Sequence, residues 1–229
     1  MIPLHDDNPT RITPVVTYVL LISCVLIFLW QLSLGEQSGR IIYALGVIPA
    51  VLFEHKVLPD SIELVPAWLS IITSMFLHGG WMHLLGNMLY LYIFANNIEE
   101  AMGHTRFLIF YLTCGVAAAL AQSLPEPEST IPMIGASGAI SGVLGAYLLL
   151  FPTARVLVVV PLGFYFHSFR IQAFWVLGFW FVLQLVNTVL NSSQEGGVAW
   201  GAHIGGFIAG LLLVGLFKKS HYKLLFSGK

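Results

Sequence analysis

The sequence predicts an all-α polytopic membrane protein, a six-transmembrane-helix bundle with a membrane-associated first outer loop. Hydrophobic residues make up 57% of the 229 and charged residues only 9%, which is too little polar surface for a water-soluble domain of this length. Several apolar runs are also long enough to cross about 30 Å of hydrocarbon at roughly 1.5 Å per residue. We therefore expect a single transmembrane domain over residues 1–229, with short tails at 1–13 and 218–229.

Six apolar segments follow one another along the chain. They lie near Pro14–Leu34, Met82–Ile98, Phe107–Leu124, Met133–Phe151, Ile171–Leu190 and Val198–Phe217. The first run follows Asp6 and Asp7 rather than a basic leader, which favours a retained transmembrane anchor over a cleaved signal peptide.

The long connection from Gly35 to Gly80 is too apolar for a simple solvated loop. Within it, large apolar side chains recur at helical spacing: Trp68, Ile71, Ile72, Met75 and Phe76. Such a stripe predicts that part of the loop lies in the membrane interface or packs against the bundle.

Basic residues predict how the segments are oriented. An even number of spans puts both termini on one side, and most basic residues fall on that side: Arg11, Arg106, Arg155, Arg170, Lys218, Lys219, Lys223 and Lys229. Only Arg40 and Lys56 fall on the other side. The positive-inside rule then places both termini in the cytoplasm. We expect a multi-pass integral membrane protein with both termini on the cytoplasmic side.

Charge also limits the partners. A net charge of −1 gives no argument for nucleic-acid binding. The short basic tail of Lys218, Lys219 and Lys223 is expected to contact anionic membrane lipids.

The fourth segment carries a candidate nucleophile, Ser137, in the string Gly135-Ala136-Ser137-Gly138. A helix that begins there and stops before Pro152 has about 15 residues and spans roughly 22 Å, which is shorter than the hydrocarbon. Its amino end would lie below the membrane surface in a water-filled cavity, where first-turn amides favour an oxyanion. Taken alone, the string also fits close helix packing through Gly138 and Gly142.

His203 is an ionisable residue about one turn into the last segment. Such groups inside a membrane usually face a cavity or a partner. Small residues at four-residue spacing would let the fourth and sixth segments approach closely: Ala202, Gly206 and Gly210 on one, Ser137, Ser141 and Gly145 on the other. A neutral imidazole near Ser137 could remove the hydroxyl proton. Since the last three spans hold no carboxylate, the pair would be a dyad; a packed histidine bonded to a backbone carbonyl is the alternative.

A third cluster, from His78 to Asn87, begins the second span. His83 and Asn87 are four residues apart, so they project from one helix face, and both can donate hydrogen bonds to an oxyanion. A structural hydrogen-bonding role is the alternative. His78 and His83 are awkwardly spaced for a shared metal and have no carboxylate near them before Glu99. We therefore expect no metal and no cofactor.

Together these motifs resemble the rhomboid family of intramembrane serine proteases. The resemblance rests on Thr73–Met88, Gly135–Gly138 and Ala202–Gly210, in the family's order and on its spans. It implies that Ser137 is the nucleophile and His203 the general base and later acid. It further implies that His83 and Asn87 complete an oxyanion hole begun by the Ser137 amide, while His78 looks structural.

The resemblance also implies the substrate, a membrane-anchored protein cut within or next to its transmembrane segment. Two other classes of function stay open at this point. A catalytically silent rhomboid-like chaperone or scaffold would bind transmembrane helices without cutting them, and a transporter would use the histidines as a proton or metal path.

Overall fold

The structure, a computed structural model, describes residues 2–163, 165–190 and 198–225. Lys229 and the end of the predicted carboxyl-terminal tail lie outside these residues. The helices are α1 (Val15–Ser33), α2 (Ser38–Leu45), α3 (Pro49–Leu52), α4 (Ala67–Thr73), α5 (Trp81–Met102), α6 (His104–Ser123), α7 (Ser137–Leu150), α8 (Ala173–Leu190) and α9 (Trp200–Phe217). Short 3₁₀ turns cover Gly35–Gln37 and Ser74–Phe76.

Each of the six predicted apolar segments contains one long helix, namely α1, α5, α6, α7, α8 or α9. Within the described residues, α1, α6, α8 and α9 are long and apolar enough to cross a membrane. α5 carries Glu99 and Glu100 in its last turn, and α7 has only 14 residues. The chain is therefore a mostly helical integral membrane protein, while the count of six spans stays a prediction.

α7 lies at the centre of the bundle. Eleven of its 14 residues are buried, and it packs against α5, α6, α8 and α9. It begins at Ser137, as predicted. It ends at Leu150, because Pro152 disfavours helical backbone at Phe151, the residue before the proline.

Small residues bring α9 onto α7. A Cβ atom on Gly206 would lie 2.0 Å from the Gly138 carbonyl oxygen, and one on Gly210 would lie 2.0 Å from that of Gly142. No side chain fits at either position of α9. The predicted ladder on α9 thus makes the contact. On α7 its nearest partners are the carbonyls of Gly138 and Gly142, and the predicted Ser141 and Gly145 also lie against α9, at Gly206 and at the Phe207 carbonyl. The packing interpretation of these glycines is therefore correct, and it does not exclude the catalytic one.

A three-stranded antiparallel sheet departs from the all-α prediction. β1 (Ile2–Asp6) pairs with β2 (Arg155–Leu162), which pairs with β3 (Tyr165–Gln172). β2 is rich in β-branched valine, and residues 156–159 alternate between buried and partly exposed positions, with Val156 and Val158 fully buried. The first residues are therefore not a free tail, and the connection between α7 and α8 is a hairpin rather than a plain loop.

β1 is also tied to the end of α7 that lies far from Ser137. The Tyr147 hydroxyl donates to Asp6 Oδ2 at 2.5 Å, and the Arg155 amide donates to Asp7 Oδ1 at 2.6 Å. The first contact joins β1 to α7, and the second joins Asp7, the residue after β1, to the start of β2.

A group that we name the glutamate cluster (Thr17, Glu99 and His104) lies where α1, α5 and α6 meet. The fully buried Glu99 carboxylate accepts hydrogen bonds from the amides of Val16 and Thr17, at 2.9 and 2.8 Å. It also contacts the Thr17 hydroxyl at 2.6 Å and His104 Nδ1 at 2.5 Å. The carboxylate thereby caps the amino end of α1, where the helix dipole favours a negative charge.

The long connection between α1 and α5, predicted to be the first outer loop, packs against the bundle in part. Met75 is buried beside Gly115 of α6, and its carbonyl lies 4.0 Å from the Cys24 thiol of α1. Trp68 is instead 67% exposed. The loop thus combines residues that pack on the helices with residues that face outward, and it leads directly to α5.

Candidate active site

Ser137 is the first residue of α7 and is partly exposed. Its Oγ lies 2.8 Å from His203 Nε2. Its carbonyl accepts a hydrogen bond from the Ser141 hydroxyl at 2.7 Å, so Ser141 is turned back on its own helix. The structure therefore brings together the serine and the histidine that the sequence placed on different spans.

His203 lies in the first turn of α9, where its ring is 9% exposed. The start of this helix is held by Gln122 of α6, whose Oε1 accepts a hydrogen bond from the Ala202 amide at 3.2 Å. The indoles of Trp180 and Trp200 each lie 5.9 Å from the imidazole, between ring centroids. The backbone and both neighbouring rings thus fix the plane of His203.

Gln184 of α8 is a site residue that the sequence interpretation missed. Its Oε1 lies 2.9 Å from His203 Nδ1, and its Nε2 donates to the Trp180 carbonyl at 3.0 Å. The sequence predicted a dyad without a third member, and the structure places an amide, not a carboxylate, next to the second ring nitrogen of His203. One signal could have found it, since Gln184 is one of only two amide side chains, with Asn187, in a mostly apolar α8.

His83 and Asn87 lie on one face of α5, beside the residues that lead into Ser137. A Cβ atom on Gly135 would lie 2.6 Å from His83 Nε2 and 3.6 Å from Asn87 Nδ2. Asn87 is 8% exposed, and its Nδ2 has no hydrogen-bond partner among the described residues. A buried donor without a partner is unfavourable unless a ligand or a reacting group supplies the acceptor.

The tautomer of His83 follows from the hydrogen bond at its Nδ1. The Gly79 amide points to His83 Nδ1 at 3.4 Å, so Nδ1 acts as the acceptor. The ring proton of the neutral imidazole is then on Nε2. This proton is directed to the same space beside Gly135 as the Asn87 amide.

Gly135 is required by its conformation as well as by its neighbours. Its φ is +119°, in a region that side chains of L-residues rarely adopt, and its amide donates to the Ser74 carbonyl at 2.9 Å. The first outer loop thereby supports the backbone that precedes Ser137. Any larger residue here would displace His83 and strain this turn.

His78 lies behind the site rather than in it. It is 1% exposed, its amide and carbonyl both bond to the Gln31 side chain of α1, and its ring contacts His83 edge-on at 5.2 Å. These contacts agree with a structural role. Among the described residues, no group of three or more His, Cys, Asp or Glu side chains is arranged to hold a metal ion.

The arrangement as a whole can perform acyl transfer. A hydroxyl faces a ring nitrogen at hydrogen-bond distance, and two further donors converge beside the backbone that precedes it. A nucleophile, a base and donors for an oxyanion are the groups that this chemistry requires.

The chain is also similar to a known protein family. The family model described as Rhomboid domain matches residues 66–220, a range that contains Ser137, His203, His83, Asn87 and Gln184.

Several curated proteins are similar over much of the chain. YdcA of Bacillus subtilis, whose name includes the words rhomboid protease, is 29% identical over 89% of this chain and 88% of its own length. Rhomboid protease GluP of the same organism is 29% identical over 90% of this chain, but the match covers only 37% of GluP. Rhomboid protein 1 of Saccharomyces cerevisiae mitochondria is 31% identical over 66% of this chain and 42% of its own length.

Proposed function

The chain belongs to the rhomboid family, and from this premise we propose that it is an intramembrane serine endopeptidase that uses a Ser137–His203 dyad. Its substrates would be membrane-anchored proteins, cut within or next to a transmembrane segment. The observation that carries the proposal is the 2.8 Å contact between Ser137 Oγ and His203 Nε2.

The first chemical step is attack by the serine. Ser137 Oγ transfers its proton to His203 Nε2 and forms a bond to the scissile carbonyl carbon, whose oxygen becomes negative. The imidazolium then gives the proton to the departing amine, which leaves an acyl group on Ser137. A water molecule, deprotonated by the same histidine, releases the acyl group by the reverse sequence.

The oxyanion is stabilised by the Ser137 amide, His83 Nε2–H and Asn87 Nδ2–H. This assignment is supported by the unpartnered Asn87 amide and by the direction of both side chains toward Gly135. Donors that are fixed before the reaction stabilise the developing charge without reorganisation.

The same proposal covers the surroundings of the site. We propose one rhomboid-like domain with six spans in a bacterial inner membrane, with both termini cytoplasmic and the site opening outward. Two sets of hydrogen bonds support including both ends of the described chain in one domain. β1 bonds to β2, and the Leu225 amide donates to the Leu149 carbonyl.

A fluorophosphonate probe on the detergent-solubilised protein tests the function. We expect one covalent adduct, on Ser137, that is lost in Ser137→Ala and retained in Ser141→Ala, the matched serine one turn along α7. Cleavage of a single-span model substrate should follow the same pattern. A chain that binds transmembrane helices but forms no adduct would be a silent scaffold, and the proposal would be wrong.

A further inference from the structure

The dyad requires one particular tautomer of His203. A neutral imidazole carries a single ring proton, on Nδ1 or on Nε2. Only the form with the proton on Nδ1 leaves Nε2 free to accept the proton of Ser137. The hydrogen bond made by one ring nitrogen decides which form is present, so the group that faces Nδ1 is decisive.

That group is the side-chain oxygen of Gln184. Oε1 lies 2.9 Å from His203 Nδ1, and an amide oxygen can only accept. The opposite orientation of the amide is disfavoured, because Nε2 donates to the Trp180 carbonyl at 3.0 Å and that carbonyl cannot donate in return. Gln184 is 5% exposed, so little water is available to replace either contact.

We propose that Gln184 is a positioning residue, which holds His203 as the Nδ1–H tautomer and stabilises the imidazolium formed during the reaction. It acts through His203 and does not touch the substrate. This inference rests on the proposed function, because the tautomer matters only if His203 Nε2 receives the serine proton.

An amide suits this place better than a carboxylate. A buried carboxylate without a full set of partners is costly in an apolar bundle, whereas the amide supplies an acceptor and carries no net charge. Gln184 and Trp180 are one turn apart on α8, and both contact His203. One face of α8 thus fixes the proton position and the ring plane together.

Matched substitutions separate positioning from packing. Gln184→Met keeps a similar volume and removes the acceptor, whereas Gln184→Glu keeps an acceptor at the same place. We expect Gln184→Met to lower kcat about 10-fold to 100-fold, by analogy with the loss seen when the hydrogen-bond partner of a metal-binding histidine is removed, with KM unchanged. Gln184→Glu should recover most of this loss in kcat, although its buried carboxylate is expected to lower the Tm. Equal losses of kcat in both variants, measured on the folded protein, would overturn the inference.

A spectroscopic measurement gives a readout that does not need activity. The ring nitrogens of ¹⁵N-histidine-labelled protein report the tautomer, and His203 is assigned by the signal lost in His203→Ala. We expect a protonated Nδ1 and an unprotonated Nε2 in the wild type, and a shift toward the other tautomer in Gln184→Met. The control is Gln122→Met, which alters a glutamine bonded to the α9 backbone but not to the ring.

The two proposals fail in different ways. If Ser137 forms no fluorophosphonate adduct in the wild type, the proposed function is wrong. If the adduct forms normally but the His203 tautomer is the same in the wild type and in Gln184→Met, the role of Gln184 alone is wrong.

Discussion

Two clusters of polar side chains lie at opposite ends of α5, and they differ in whether their polar atoms all have hydrogen-bond partners. At one end is the glutamate cluster of Thr17, Glu99 and His104. At the other is the group that we name the serine cluster: His83, Asn87, Ser137, Gln184 and His203. Since His83 and Glu99 are separated by about four and a half turns of helix, the two clusters lie roughly 24 Å apart.

The glutamate cluster has its partners in place. The Glu99 carboxylate contacts two amides, a hydroxyl and an imidazole, all within 2.9 Å. The serine cluster is incomplete, because within the described part of the chain the Asn87 amide nitrogen is buried without a partner. In an apolar interior a satisfied network stabilises the fold, whereas an unsatisfied donor is costly. This difference is what the proposed function predicts, with one cluster serving stability and the other a reaction.

The largest expected effect concerns the two histidines. His203→Ala should reduce the rate of Ser137 labelling by about 10⁴-fold or more, because the base of a serine nucleophile is lost. His104→Ala, the matched change in the glutamate cluster, should leave labelling within a few-fold and lower the Tm instead. Labelling rates and Tm values in detergent measure both effects. Near-normal labelling of His203→Ala would refute its role as base.

The next effect concerns two buried asparagines of α5. Asn87→Ala should lower kcat about 100-fold to 1,000-fold, the usual loss for one oxyanion donor, without lowering the Tm, since it removes an unpartnered group. Asn97 Nδ2 donates to the Asn8 carbonyl at 2.7 Å, and only its Oδ1 lacks a partner among the described residues, so Asn97→Ala should lower the Tm and leave kcat unchanged. His83→Ala is expected to behave like Asn87→Ala. Wild-type rates in both His83→Ala and Asn87→Ala would remove the oxyanion assignment.

A smaller effect is expected from the charge of the glutamate cluster. Glu99→Gln keeps the shape but replaces one of the two acceptor oxygens by a donor, which then faces the amide of Val16 or that of Thr17. We expect a loss of about 1–3 kcal/mol in the free energy of unfolding, measured by denaturation in detergent, with the Ser137 labelling rate of the folded protein unchanged. A loss of labelling at unchanged stability would show that the two clusters are not independent.

The sequence could predict the parts of the site that come from motifs. Ser137, His203, His83 and Asn87 stand in short strings whose chemistry and helical spacing are legible without a structure. The bounds of α7 follow in the same way. Small residues precede its start at Ser137, and Pro152 follows its end. Local patterns were enough in these cases because each depends on neighbours within one or two turns.

Features that depend on distant pairings were not predicted. Gln184 acquires its importance only when α8 packs beside α9. The sheet requires residues 2–6 to meet residues 155–162, although the run of β-branched residues in β2 and the glycine turn before β3 were a readable hairpin signal. The high hydrophobic content was interpreted only as membrane spans and not as strands, so the all-α prediction was wrong for the residues of this sheet.

The smallest effect tests a third polar contact, between β1 and the end of α7 that lies far from Ser137. Burial raises the pKa of Asp6 above its ordinary value of 3.8, and the hydrogen bond from Tyr147 opposes this shift only in part. A raised pKa means that the folded protein favours the protonated carboxyl. The contribution of Asp6 to stability is therefore fully present below about pH 4 and is lost as the pH rises through the raised value.

Asp6→Asn should remove this dependence, since an amide stays neutral and its oxygen still accepts the Tyr147 hydroxyl. We expect the Tm of Asp6→Asn to increase relative to that of the wild type as the pH rises from about 4 to 7. The Ser137 labelling rate of the folded protein should be the same in both. Asp7→Asn, at the exposed neighbouring position, is the control for a general change in surface charge. A Tm difference that is constant with pH would show that the Asp6 carboxyl is not the source. A changed labelling rate would show that this end of α7 influences the serine at the other, and the division between a structural and a reactive end would no longer hold.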